Sequence, residues 1–208
     1  MDAGGKKVYI EGIIDRMDVL PDGSIKIIDY KTGNDKFSES EARAGWKLQL
    51  MIYLMAGMGY GGIDRKPAGV FYFNIKDDVI SQKKYLEELS PEKLMADFRL
   101  EGAMINDEDV IRAVAGDFEK ESEVAKVSRK DDGGYTAYSR LISADDFNEF
   151  MREVADKVTE LATGITEGKI SPDPAKKESG GLSACTYCDY RSFCGFDTAF
   201  DGCKYRWI

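Results

Sequence analysis

Two stretches rich in β-forming residues flank a short turn near the start of the chain. The first covers residues 8–19, the second covers residues 24–30, and Pro21-Asp22-Gly23 lies between them. Proline presets φ at the first turn position, aspartate suits the second, and glycine adopts the positive φ of the third. We therefore predict a β-hairpin closed by a three-residue loop, which fixes the register of its two strands.

The loop length decides which residues face each other across this hairpin. A three-residue loop places Asp15 directly opposite Asp29. Such partners share a face of the sheet, with Cβ atoms about 4.5–5.5 Å apart, and Lys31 shares that face because strand side chains alternate. A two-residue loop would instead place Arg16 opposite Asp29 as a simple ion pair, but the Pro-Asp-Gly sequence favours the first register.

These three side chains suit metal-assisted phosphate chemistry. Two facing carboxylates repel each other, and a divalent cation removes that repulsion. Mg²⁺ takes an oxygen shell from carboxylates, water and substrate phosphate, and a bound metal lowers the pKa of its water. Lys31 would add a compact positive charge near the phosphate or the attacking hydroxide. The alternative is that Asp15, Asp29 and Lys31 are rim charges of a solvated hairpin.

Three motifs follow one another in the first quarter of the chain: Gly12 followed by Asp15-Arg16-Met17-Asp18, then Asp29-Tyr30-Lys31-Thr32-Gly33, then Gln49-Leu50-Met51-Ile52-Tyr53. Their order resembles the RecB-like branch of the PD-(D/E)XK nuclease superfamily, whose motifs read GxxDRxD, DYKTG or DYKS, and QxxxY. The resemblance implies an α/β fold, a restriction-endonuclease-like core with a mixed β-sheet flanked by helices.

The same resemblance implies a role for each motif residue. Asp15, Asp29 and the backbone carbonyl of Tyr30 would bind Mg²⁺ or Mn²⁺, and Lys31 would be catalytic. Gln49 and Tyr53 would support the site and touch the DNA strand. Residues 46–58 are predicted to form a helix, in which positions four apart share a face. From the residues alone, Gln49 and Tyr53 also fit a helix face with one polar residue.

All four cysteines lie near the C-terminus, as Cys185-x2-Cys188-x5-Cys194 followed by Cys203. Disulfides, a Cys₄ zinc site and a [4Fe–4S] cluster are all compatible with such a group of thiols. The sequence carries neither a signal peptide nor an apolar stretch long enough to span a membrane, so we expect a cytoplasmic protein.

The segment around these cysteines resembles the tail of the AddB and RexB family, the non-ATP-hydrolysing subunits of bacterial helicase–nucleases. The resemblance implies a [4Fe–4S] cluster held by Cys185, Cys188 and Cys194 with a fourth, upstream cysteine. This chain has no cysteine before Cys185, so we expect it to be a C-terminal fragment of a longer protein. Cys203 is a doubtful replacement ligand, and in the fragment the thiols are alternatively free in a loose tail.

The resemblance also implies DNA as substrate and an ATP-driven helicase partner of the AddA/RexA type, acting in double-strand-break repair and recombination. The function we expect is metal-dependent hydrolysis of DNA, as an exonuclease. The alternatives are a non-catalytic module that clamps DNA, and a stand-alone iron–sulfur nuclease of the CRISPR-adaptation type.

Composition limits these possibilities. The chain has 208 residues, 43% of them hydrophobic, which suffices for one domain with a sizeable core. It has no histidine, which excludes a histidine general base, a Ser-His-Asp triad and Cys₂His₂ zinc. The formal charge of −9 predicts weak autonomous DNA binding, because such binding depends on lysine and arginine neutralising phosphates.

We expect a nuclease core at residues 1–175, with a helical insertion at about 75–140, and an iron–sulfur-type tail at residues 176–208. The sequence further predicts a strand at 68–73, helices at 91–100 and 111–114, and a linker at 164–180. A long amphipathic helix is predicted from 143 to about 163, with an apolar stripe of Phe147, Phe150, Val154, Val158 and Leu161.

Overall fold

The computed structural model describes residues 1–75, 98–178 and 181–208. Its strands are β1 (Asp2–Ala3), β2 (Lys6–Lys7), β3 (Arg16–Val19), β4 (Ile25–Lys31), β5 (Pro67–Asn74), β6 (Glu101–Ile105), β7 (Leu141–Ile142), β8 (Ala175–Lys176) and β9 (Arg206–Trp207). Its helices are α1 (Glu39–Arg43), α2 (Gln49–Met58), α3 (Glu108–Ala115), α4 (Ala144–Thr166) and α5 (Arg191–Cys194), with 3₁₀ turns at Tyr60–Gly62 and Ala137–Ser139.

The chain forms two compact units. Residues 11–37 and 49–151 make up the first, called here the sheet unit. Residues 1–10, 38–48 and 152–208 make up the second, called here the tail unit.

The predicted hairpin is present in the predicted register. Gly23 has φ +83°, and the Leu20 N–H donates to the Ser24 carbonyl across the loop at 2.8 Å. The antiparallel ladder pairs Arg16 with Ile28 and continues to Val19 opposite Ile25. Asp15 and Asp29 are therefore the next pair beyond the ladder, as the three-residue loop predicted.

The first strand of the hairpin is shorter than predicted. Only Arg16–Val19 is a strand, and residues 8–15 have no regular structure. The ladder stops because the Asp15 carboxylate, rather than a backbone carbonyl, accepts the Tyr30 N–H. The prediction of a strand beginning at residue 8 was wrong.

A mixed five-stranded sheet in the order β3-β4-β5-β6-β7 forms the centre of the sheet unit. β4 pairs antiparallel with β3 and parallel with β5. β6 pairs antiparallel with β5 and parallel with β7. β4 is buried from Ile25 to Asp29, which explains its nearly continuous apolar sequence, since a central strand is covered on both faces.

Helix α2 packs on the β4 face that carries Ile25 and Ile27. A Cβ at Gly57 would lie 3.0 Å from Met17 Sδ and 3.1 Å from Ile25 Cδ1, so the helix and the strands approach closely. The helix begins at Gln49 rather than at residue 46 as predicted. Lys47 has φ +54°, which a right-handed helix does not accommodate.

Part of the predicted helical insertion belongs to the sheet. Glu101–Ile105 forms β6, and its Gly102 lies so close to β5 that a Cβ there would clash with the Val70 carbonyl. The prediction of a helical insertion at 75–140 was therefore wrong at this strand. It was correct in type at α3, which is longer than the predicted 111–114 and begins after Asp107 as N-cap. Of the predicted helix 91–100, residues 91–97 lie outside the described residues, and Leu100 forms a β-bridge with Ala125.

The predicted strand at 68–73 and the long amphipathic helix are both present, as β5 and α4. The Ser143 hydroxyl accepts the Asp146 N–H at 3.1 Å and caps α4. The predicted apolar stripe is buried at Phe147, Phe150, Val154 and Val158. Leu161 is 38% exposed, so its assignment to the core was wrong.

Short strands organise the end of the chain within the tail unit. β8 pairs parallel with β9, and Lys176 also forms a bridge with Ser183. The predicted linker at 164–180 is helical at its start, because α4 continues to Thr166. Among the described residues, no helix is both long and apolar enough to cross a membrane.

Candidate active site

Six of the predicted site residues lie in the sheet unit, at the end of β4 and the start of α2. Asp29 and Lys31 are on β4 and share a face because strand side chains alternate. Asp29 is only 2% exposed, whereas Asp15 is exposed. One carboxylate is therefore held in the protein interior and the other stands where solvent reaches it.

A backbone contact links the two carboxylate positions. Asp15 Oδ2 accepts the Tyr30 N–H at 3.0 Å, which fixes the Asp15 side chain beside the peptide that follows Asp29. The Tyr30 ring packs edge-on against Phe73, with ring centroids 5.6 Å apart. This packing anchors the residue whose carbonyl is the predicted third metal ligand.

Three groups surround the Lys31 ammonium. Lys31 Nζ lies 2.6 Å from Asp29 Oδ2 and donates a hydrogen bond to Gln49 Oε1 at 2.8 Å. The Tyr72 ring centroid is 5.7 Å from Nζ, within the range of a cation–π contact. The lysine is thus held at the carboxylate while part of its side chain remains exposed.

Helix α2 supplies the polar residues that complete this arrangement. Gln49 Nε2 donates to the Tyr53 hydroxyl at 3.2 Å, so one amide bridges Lys31 and Tyr53. Gly12 explains the first position of its motif, because a Cβ there would lie 2.9 Å from Tyr53 Cε1. Glycine at this position leaves room for the tyrosine ring.

The remaining charged residues of the first motif pair with each other and not with Asp29. Arg16 Nε lies 2.8 Å from Asp18 Oδ1, and Lys26 Nζ lies 3.5 Å from Asp18 Oδ2. The Arg16 hydrogen bond, assisted by the charge of Lys26, lowers the pKa of Asp18 below its usual value. This cluster stabilises the hairpin and leaves Asp15 and Asp29 as the carboxylates of the site.

The carboxylates fit a hard divalent cation. Asp29 Oδ2 is buried and, although Lys31 Nζ is close, has no hydrogen bond of acceptable geometry to any described residue. A cation would satisfy that oxygen, and two carboxylates are a common protein contribution to a Mg²⁺ site that keeps several waters. No group of three or more Asp, Glu or Cys side chains within the described residues could hold a metal ion. The protein's side-chain share of the site is therefore Asp15 and Asp29.

A family comparison agrees with this geometry. The model of the PD-(D/E)XK nuclease superfamily matches residues 1–195. The chain belongs to the PD-(D/E)XK nuclease superfamily. The mixed sheet flanked by helices is the fold that the three motifs predicted.

Curated relatives of this PD-(D/E)XK domain share one name, which describes each as a subunit of an ATP-dependent helicase/deoxyribonuclease. The chain is 32% identical over 212 residues to that protein of Alkaliphilus oremlandii, 34% identical over 212 residues to that of Clostridium acetobutylicum, and 36% identical over 214 residues to that of Caldanaerobacter subterraneus. The matches cover 98–99% of this chain but only 18% of each relative.

Two residues of the PD-(D/E)XK site were missed by the sequence analysis. Tyr72 is the β5 partner of Asp29, and Asn74 is the β5 partner of Lys31. A polar residue that ends an otherwise apolar strand, as Asn74 does, was the available signal. Its significance depended on the parallel pairing of β4 with β5, which the sequence alone does not specify.

The cysteines lie in the tail unit and do not form a ligand set. Cys185 and Cys203 are half-buried, Cys188 and Cys194 are exposed, and all four are free thiols. Within the described residues they are not grouped as three or more potential ligands of a metal. The arrangement of the thiols in this structure therefore does not fit an iron–sulfur cluster as it stands.

Proposed function

We propose that this domain is a divalent-metal-dependent deoxyribonuclease that hydrolyses phosphodiester bonds. The observation that carries the proposal is the buried Asp29 carboxylate, with Asp15 at the adjoining position and Lys31 Nζ 2.6 Å away. Membership of the PD-(D/E)XK nuclease superfamily supports the reaction. DNA as substrate is supported by the word deoxyribonuclease in the relatives' name.

Each residue of the site has a proposed role. Asp15 and Asp29, with the Tyr30 carbonyl, would hold Mg²⁺ or Mn²⁺. When bound, such a cation supplies Lewis-acid activation of the phosphate and a more acidic water. Lys31 would place its positive charge beside the phosphate as negative charge develops there.

Helix α2 would position the catalytic lysine. Gln49 orients the Lys31 ammonium through a 2.8 Å hydrogen bond, and Tyr53 fixes the other end of the Gln49 amide. Both side chains are exposed or half-buried, so the same residues are available to contact a DNA strand at the site.

We further propose that the domain acts within a helicase–nuclease of the AddAB/RexAB type in double-strand-break repair, in the cytoplasm. The relatives' name and the 18% share of their length support this. The charge of −9 also supports it, because a helicase subunit would deliver a strand that the domain binds weakly alone. We keep the division into a nuclease core at 1–175 and a cysteine-rich tail at 176–208.

Cys185, Cys188 and Cys194 remain the proposed ligands of a [4Fe–4S] cluster in the whole protein. Their spacing supports this, as does the absence of other cysteines between them. Since the thiols are not grouped here, cluster binding would require this segment to rearrange and a fourth ligand to join it.

The proposed reaction is tested by cleavage of end-labelled single-stranded DNA with Mn²⁺ or Mg²⁺. The parent chain is compared with Lys31→Ala and with the matched control Lys26→Met, whose lysine lies on the same strand but pairs with Asp18. We expect metal-dependent cleavage that falls at least about 100-fold in Lys31→Ala and persists in the control. Equal cleavage by Lys31→Ala would reject the role of Lys31, and a parent chain that never cleaves would point to a non-catalytic DNA-clamping module.

A further inference from the structure

Asn74 occupies the end of β5 directly beside Lys31. The parallel ladder pairs Lys31 with Asn74, so the two side chains lie on the same face of the sheet. Asn74 is only 3% exposed. A buried amide has to find hydrogen-bond partners, and the partners it finds indicate what it does.

Both polar atoms of the Asn74 amide bind one residue of the segment that follows β4. Asn74 Oδ1 accepts the Asp35 N–H at 2.9 Å, and Asn74 Nδ2 donates to the Asp35 carbonyl at 2.9 Å. The amide therefore replaces, for Asp35, the two backbone bonds that a neighbouring strand would supply. We call this pair of bonds the Asn74 clamp.

The Asn74 clamp controls how the chain leaves the catalytic strand. Residues 32–38 form neither helix nor strand, so they have no ladder of their own to hold them. The Ile75 N–H donates to the Lys31 carbonyl at 2.7 Å, which is the last backbone bond between the two strands. Together with this bond, the clamp fixes the backbone on both sides of the point where Lys31 departs from the sheet.

We propose that Asn74 is a positioning residue for Lys31, which it serves through the backbone of Asp35. This inference rests on the proposed catalytic role of Lys31. The hydrogen bonds of the Asn74 side chain go to Asp35 and not to Asp15 or Asp29, so its loss should misplace the lysine and leave the carboxylates in place. The effect therefore falls on turnover and not on metal binding.

The variant Asn74→Leu tests this, because it removes both bonds at nearly constant volume. We expect kcat to fall by about 10- to 100-fold, the loss that a displacement of about 1 Å produces, with KM for DNA within about threefold of the parent. Mn²⁺ affinity, measured by electron paramagnetic resonance without DNA, should also stay within about threefold. Amide exchange of the peptide containing residues 32–37 should become faster.

Ser122→Ala is the matched control. Ser122 is also buried in the sheet unit, and its hydroxyl donates to the Ala115 carbonyl and accepts the Val124 N–H. Its loss removes a comparable number of buried hydrogen bonds away from β4, so kcat should be retained. If Asn74→Leu does not fold, Asn74→Ser serves instead, with a smaller fall in kcat, since a hydroxyl can keep one bond of the clamp.

The outcomes separate the two proposals. Reduced kcat with unchanged Mn²⁺ affinity supports the positioning role. Unchanged kcat, or Mn²⁺ affinity that falls in parallel with kcat, rejects it, the second because Asn74 would then only support the sheet end as a whole. A parent chain that neither binds Mn²⁺ nor cleaves DNA rejects the proposed function, and the positioning role with it.

Discussion

Asp15 and Asp29 hold adjoining positions but meet solvent very differently. The burial of Asp29 makes its negative charge costly unless a cation or hydrogen bonds compensate it. Lys31 provides one positive charge at 2.6 Å, and a bound metal would provide another. The exposure of Asp15 leaves the same site open on the side from which water and a phosphate group arrive.

Gly12 offers a test of the site at the scale of one residue. Gly12→Ala should push the Tyr53 ring away, since the new Cβ would lie 2.9 Å from Tyr53 Cε1. Tyr53 holds the Gln49 amide, so we expect kcat to fall about tenfold while the free energy of unfolding falls by less than about 1 kcal/mol. Steady-state cleavage and urea unfolding measure the two effects.

The control for this substitution is Gly59→Ala, since a Cβ there meets nothing within 4 Å. Gly59 has φ −94°, which alanine adopts without strain, so activity and stability should both be retained. If Gly12→Ala cleaves DNA as fast as the parent, the contact between Gly12 and Tyr53 is irrelevant to the site.

Among the elements, the β3–β4 hairpin determines where the carboxylates meet, and its turn carries a pH-dependent contribution. Asp22 Oδ1 accepts the Ser24 hydroxyl at 2.6 Å and the Ser24 N–H at 3.0 Å. These bonds lower the pKa of Asp22 below 3.8. A lowered folded-state pKa stabilises the fold above the unfolded-state pKa of about 3.9 and loses that effect as the pH falls.

We therefore expect the parent to be more stable than Asp22→Asn at about pH 6 and the difference to vanish towards about pH 2. Urea unfolding across this range measures the difference. In a Ser24→Ala background the same comparison should show little pH dependence, because the hydroxyl is gone. A difference that stays constant with pH would show that the Asp22 charge does not stabilise the turn.

The elements also show what the sequence could and could not predict. The hairpin register followed from Pro21-Asp22-Gly23, because turn chemistry is local. β6 was missed because it begins with Glu101 and Gly102, which are poor strand formers, and Gly102 is needed only for its close approach to Val70. The Asn74 clamp was missed because it joins residues 39 positions apart, which strand pairing alone brings together.

For the whole molecule, the tail unit supplies its own internal attachments. Lys177 Nζ lies 2.6 Å from Glu41 Oε1, and Arg206 donates to the Ala44 carbonyl at 2.7 Å. With the pairing of β8 and β9, these bonds hold the ends of the cysteine-containing segment within the tail unit. They do so through side chains and backbone groups other than the thiols.

Lys177→Met tests that attachment while keeping most of the apolar part of the side chain. Glu41 has one buried oxygen, Oε2, with no hydrogen bond to any described residue, so loss of the lysine should leave a poorly compensated charge. We expect a loss of about 1–3 kcal/mol and faster proteolysis after residue 177. Glu41→Gln combined with Lys177→Met should recover part of this loss, and an unchanged proteolysis pattern would contradict the assignment.

The central claim is that Asp15 and Asp29 hold a divalent metal, and Mn²⁺ binding tests it most directly. Isothermal titration of Mn²⁺ compares the parent with Asp29→Asn and with Glu101→Gln, whose carboxylate is also buried but is paired with Lys126 and Arg140. We predict one bound Mn²⁺ in the parent and in Glu101→Gln, with affinity at least about tenfold weaker in Asp29→Asn. Equal Mn²⁺ binding by the parent and Asp29→Asn would contradict the account.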